Sequence, residues 1–89
     1  MSLEEERQEK LEELWADDYQ LDIHHGLNSF GRHELMDRLC MMGEMVETYI
    51  LEHPACIFEP EWFVEASEIV DRLYNFYQKV SAAWRTSDI

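Results

Sequence analysis

Apolar residues in the middle of this chain recur at helical spacing. Leu35, Leu39, Met42, Val46, Tyr49 and His53 fall three or four positions apart, which puts them on one face of a helix. Met36, Cys40, Gly43, Met45 and Ile50 widen that face past half of the helix circumference, more than a single neighbouring helix covers. The pattern predicts a helix over 30–53, with Asn28 or Ser29 as its N-cap and Pro54 as its stop. The segment 54–60 (PACIFEP) reads as a short link, so the following helix returns antiparallel beside the first. Pro60 suits a first helical position, and Phe58 is placed to staple onto Phe63. A helix over 60–84 then carries Trp62/Phe63, Ala66, Ile69/Val70, Leu73, Phe76/Tyr77, Val80 and Ala83/Trp84 as its apolar stripe. Glu65, Glu68, Asp71, Arg72, Asn75, Gln78 and Lys79 make its wet face, and 85–89 reads as a loose tail.

The N-terminal part is different. Residues 1–22 read as one acidic helix opened by a capping box, Ser2 with Glu5, and by Glu4–Glu6 at the positive end of the helix dipole. Its apolar residues are sparse, so the first two turns are expected to project and the part from Leu11 through Trp15 to Tyr19 to dock. Residues 23–29, with two of the three glycines nearby, read as a loop.

The expected fold class is therefore all-α: an acidic N-terminal helix followed by a long antiparallel helical hairpin in a single domain. Eighty-nine residues bury only about 60–65% of their unfolded surface, so a lone subunit is marginal. Two wide apolar stripes and one weakly apolar helix do not cover one another. Oligomerisation into a helical bundle, as a homodimer or a higher oligomer, is the expected remedy, with Met36, Met42, Met45, Ile50, Trp62, Tyr77 and Trp84 at the interface. Cys40 and Cys56 are separated by most of a helix, which places them beyond disulfide reach as free thiols. With no leader-like or membrane-spanning run in the sequence, a cytoplasmic protein is expected.

Charge narrows the range of partners. Twenty acids against seven bases give a net charge of −13, which opposes duplex nucleic acid and anionic membranes and favours a protein with a basic surface. The exception is a cationic group around the predicted loop: His24, His25, Arg32, His33 and Arg38. The start of the following helix lies in the same region, an arrangement that suits phosphate, and Tyr19 or Trp15 is placed to stack on a base. A small anionic nucleotide is the ligand class that this group would take. A third group, His33, Asp37, Cys40, Glu44 and Glu47, shares one helix face at 4-3-4-3 spacing and offers zinc or iron ligands, although the Glu-x-x-His pattern of di-iron bundles is missing. Neither a nucleophile elbow nor a phosphate-binding glycine loop occurs, so the reading is non-enzymatic with no cofactor.

The run His33-Glu34-Leu35-Met36-Asp37-Arg38, then Glu52-His53-Pro54 and later Leu73-Tyr74 to Tyr77-Gln78, resembles small uncharacterised all-helical accessory proteins of tailed phages. The resemblance covers residues 33–78. It implies a phage accessory protein in a bacterial host cytoplasm, a group rich in inhibitors of host defence, and it assigns no site residues. Three functions follow as expectations. The first is a protein-binding inhibitor of a host defence protein. The second is an oligomeric sponge that sequesters a nucleotide-type immune signal between subunits, and the third is a metal-binding bundle.

Overall fold

The computed structural model describes residues 2–26 and 29–86, with side chains described up to Ala83. Every regular element among the described residues is helical: α1 (Leu3–Asp17), α2 (Leu21–His25), α3 (Phe30–Val46) continued by a π-helical turn (Glu47–Leu51), α4 (Pro54–Phe58) and α5 (Pro60–Thr86). The all-α class follows directly. No helix among the described residues is long and apolar enough to cross a membrane.

The predicted 1–22 helix is broken. Asp18 ends α1 in extended conformation, and its carboxylate accepts the backbone N–H of Gln20 at 2.9 Å. A short acidic side chain that bonds its own backbone two residues on competes with helix continuation. Two adjacent carboxylates, Asp17 and Asp18, at the negative end of the dipole weaken the last turn further. The chain restarts as α2, so His24 and His25 lie on a helix and not in the predicted 23–29 loop. Docking of α1 is slight. The helix shares only a shallow recess with α2, through Leu11, Leu14 and Trp15, and buries no residue, and Tyr19 just beyond it is 84% exposed.

The second correction is at 54–60. His53 is extended and its imidazole Nδ1 accepts the Ala55 N–H at 3.0 Å, while Pro54 takes a first-turn position. A side-chain acceptor followed by proline is a helix start, so the link forms the short helix α4. Phe58 remains 82% exposed and does not close a staple onto Phe63. The 30–53 helix ends as α-helix at Val46 and widens into the π-turn.

The fold is dominated by α3 against α5. Gly43 and Glu47 meet Tyr74, residues 31–38 share a cleft with 79–83, and residues 49–53 share a groove with 62–69. The inward line of α5 is Ala66, Val70, Leu73/Tyr74, Tyr77 and Val80/Ser81, all buried or half-buried. On α3 the inward line is Met36, Leu39/Cys40, Gly43 and Val46/Glu47, again buried or half-buried. This line is rotated from the stripe that spacing alone selects, and Gly43 at its centre is where the ring of Tyr74 approaches the helix. Leu35, Met42 and Tyr49 on α3 are left exposed, as are Trp62, Ile69 and Phe76 on α5. Both exposed series repeat every seven residues. No large side chain is fully buried among the described residues. The radius of gyration, 16.9 Å, exceeds the roughly 12 Å of a compact domain of this length.

Candidate anion-binding cleft

Where α2 meets the beginning of α3 and the end of α5, a cleft of about 600 Å³ opens, lined by His25, Gly31, Arg32, Glu34, Leu35, Arg38, Lys79, Val80 and Ala83. Local structure explains each contribution. Ser29 is buried and its Oγ accepts the Arg32 amide at 3.2 Å, which starts α3 with Arg32 one turn in. Arg38 follows on the same side and reaches Glu34 at 3.3 Å, an exposed pair one turn apart. His25 is the last residue of α2, and its carbonyl accepts from Arg32 Nε at 3.4 Å. Its ring sits over Gly31, where a Cβ would overlap the imidazole and stand 2.6 Å from the His24 carbonyl oxygen. Glycine is what allows α2 to approach α3 so closely.

Arg32, Arg38 and Lys79 set three positive charges against the single carboxylate of Glu34, leaving two positive charges before His25 is counted. The lining is thus cationic within a chain of net charge −13, and exposed charges farther than about 8 Å from it are largely screened at physiological salt. The volume falls within the range of small-molecule sites. Leu35, Val80 and Ala83 supply an apolar floor beside the cations.

Of the six residues singled out from sequence as ligand-binding, the structure brings His25, Arg32 and Arg38 together. Tyr19 is outside the cleft and points to solvent. His24 Nδ1 lies 2.6 Å from Asp18 Oδ2, an interaction that holds the Asp18 carboxyl below its ordinary range. His33 Nδ1 is 3.5 Å from Asp37 Oδ2, away from the cleft lining. Lys79 is the residue that the sequence does not disclose, since its spacing puts it on the wet face of the last helix. Counting five residues outward from the Gly43–Tyr74 contact, in opposite directions along the two helices, leads from Arg38 to Lys79. That contact was the missing signal.

The metal candidates do not converge. Among the described residues no three His, Cys, Asp or Glu side chains are placed to hold a metal ion. Cys40 Sγ donates to Glu44 Oε1 at 3.7 Å, and Tyr74 donates its hydroxyl to Glu47 Oε2 at 3.3 Å. Partial burial, then the nearby carboxylates of Glu44 and Asp37, push the Cys40 thiol up. Partial burial and the Glu47 carboxylate do the same to the Tyr74 phenol. Both cysteines are free thiols.

Of the proposed interface residues, Met42, Met45, Ile50 and Trp62 are exposed, Met36 and Tyr77 are half-buried, and the side chain of Trp84 lies outside the described residues. No protein-family model, curated protein or solved structure matches the chain.

Proposed function

We propose that this chain is a non-enzymatic binding protein that self-associates through an α3–α5 helical hairpin and sequesters a small phosphate-bearing ligand of nucleotide type. The observation that carries this reading is the convergence of Arg32, Arg38 and Lys79, with His25, on one cleft in an otherwise acidic molecule. Guanidinium and ammonium groups are the usual partners of phosphate, arginine by bidentate hydrogen bonding and lysine as a point charge. The resemblance of residues 33–78 to tailed-phage accessory proteins supplies a setting for the proposal. There the protein works in the host cytoplasm, and the ligand is a nucleotide signal of host immunity.

Self-association is supported by area. The chain exposes 7266 Å², whereas a compact monomer of 10.7 kDa exposes about 5,500 Å². Even with part of the excess assigned to the projecting α1, enough remains for one or more interfaces of about 800 Å² per subunit. The exposed sevenfold series Leu35–Met42–Tyr49 and Trp62–Ile69–Phe76 have the repeat by which helices pack into bundles. Completion of the hairpin by a second copy is part of the same proposal.

Thermal shift against cyclic nucleotides tests the ligand. Stabilisation of the wild-type chain is expected by linkage, and Lys79→Glu is expected to abolish it. No shift at millimolar ligand, or an equal shift in Lys79→Glu, would sink the proposal. Light scattering that shows a stable monomer would remove the self-association.

A second reading, inhibition of a host protein with a basic surface, is favoured by the other end of the charge distribution. Glu4, Glu5, Glu6, Glu9, Glu12 and Glu13 are all exposed on α1, in the manner of a surface that competes for a basic groove. Its test is whether deletion of residues 2–9, which carries off Glu4, Glu5, Glu6 and Glu9 but keeps Leu11, Leu14 and Trp15, removes a protein captured from a bacterial lysate while leaving nucleotide-induced stabilisation unchanged. Retention of the captured protein after the deletion would count against it.

A further inference from the structure

His25 lines two hollows at once. One is the cationic cleft. The other is an apolar recess of about 500 Å³ whose walls come from α1 and α2, chiefly Leu11, Leu14, Trp15 and Leu21. The recess lies at the break at Asp18, where buried Leu21 and Asp22 of α2 line it together with Trp15 of α1. His25 is fixed between the two hollows because Gly31 lets its ring lie against α3. The ring of His24, itself held by Asp18, stands edge-on to it with centroids 6.4 Å apart.

A cationic cleft and an apolar recess that share one wall match a ligand charged at one end and flat and apolar at the other. We infer that the recess receives the ring of the ligand whose phosphate occupies the cleft. The preferred class is then nucleotides, a purine or pyrimidine joined to phosphate, and not inorganic phosphates or sugar phosphates. This rests on the phosphate-binding reading of the cleft. Trp15 provides the stacking surface, since an indole accepts any base face, and Leu11, Leu14 and Leu21 exclude water around the ring.

The test uses the full chain carrying Trp62→Phe and Trp84→Phe, so that Trp15 is its one tryptophan. The probes are adenosine and guanosine 5′-monophosphate, ribose 5-phosphate and pyrophosphate. The nucleotides are expected to quench Trp15 and to bind roughly tenfold or more tighter than ribose 5-phosphate. In the otherwise wild-type chain, Trp15→Ala is expected to reduce nucleotide affinity to that of ribose 5-phosphate while leaving pyrophosphate unchanged, and Arg38→Ala to weaken all of them. Trp15→Leu, which keeps an apolar wall without the indole, guards against a folding artefact. It is expected to lose the same discrimination with an unchanged helical circular-dichroism signal. Equal binding of nucleotides and ribose 5-phosphate, with Trp15 unquenched, overturns this inference and leaves the cleft reading standing. Failure of every phosphate compound to bind overturns the cleft reading and this inference with it.

Discussion

Gly43 of α3 lies against the ring of Tyr74 of α5 so closely that an added Cβ would meet Cε1 at 2.9 Å. The Tyr74 hydroxyl donates to Glu47 one turn further on, so the ring is held at both its edge and its tip. Glycine inside a helix costs about 1 kcal/mol relative to alanine, and its presence here is explained by this approach. Gly43→Leu should destabilise the protein by about 1–3 kcal/mol through overpacking, and Gly43→Ala by less, because better helix propensity offsets part of the clash. Tyr74→Phe should cost about 1 kcal/mol or less, as its hydrogen bond is long and only half-buried. Urea denaturation at one fixed protein concentration measures all three.

Gly31 is the stricter case. A Cβ there would run into the His25 imidazole and into the His24 backbone carbonyl, and backbone cannot swing aside as a side chain can. Gly31→Ala should push α2 off α3 and open the cleft. A loss of about 1–3 kcal/mol is expected by thermal denaturation, together with weaker phosphate binding. Unchanged binding with lowered stability would show that the α2–α3 approach does not shape the cleft.

How far the sequence discloses this fold depends on the range of the interaction. Ser2 and Ser29 are legible as caps because a cap needs only its own next three residues, and both accept the expected amides, from Glu5 and Arg32. Helix α5 is legible because its inward line is long and regular. Asp18 and His53 were harder to read, since each ends or starts a helix by bonding its own neighbours, a competition that apolar periodicity does not register. The inward face of α3 is not legible from hydrophobicity, because its centre is a glycine chosen for the shape of Tyr74. Lys79 joins the cleft only through that long-range contact. Three of the four basic residues of the cleft, His25, Arg32 and Arg38, are therefore readable along one stretch of chain, and the fourth depends on which helix face packs.

The Cys40 thiol offers a local readout of the α3–α5 seam. It is half-buried and donates toward Glu44, and burial followed by the carboxylates of Glu44 and Asp37 raises its pKa. A raised thiol pKa means less thiolate at a given pH, and the thiolate is the nucleophile. In a Cys56→Ser background, alkylation by iodoacetamide at pH 8 should be slow and should accelerate several-fold in Glu44→Gln. Equal rates for the two would mean that burial alone sets the reactivity.

Acid should release the elbow between α1 and α2. Asp18 is tied to His24 Nδ1 at 2.6 Å, and its carboxyl is held below the ordinary range, first by that hydrogen bond and then by the Gln20 amide. A carboxyl with a lowered folded pKa contributes stability that is fully present above its unfolded pKa, about 3.9, and is lost as pH falls through the lower folded value. The elbow should therefore hold at neutral pH and loosen below pH 4. Nuclear magnetic resonance titration is expected to show Asp18 protonating at lower pH than a free aspartate, with the amides of Gln20 and Leu21 shifting in step. Asp18→Asn should remove that shared transition while leaving the α3–α5 resonances unmoved. Because the elbow builds the recess beside Trp15, the same variant should also reduce the preference for nucleotides over ribose 5-phosphate. A recess that keeps its discrimination without Asp18 would show that the turn at Gln20, and not the Asp18–His24 pair, positions α2.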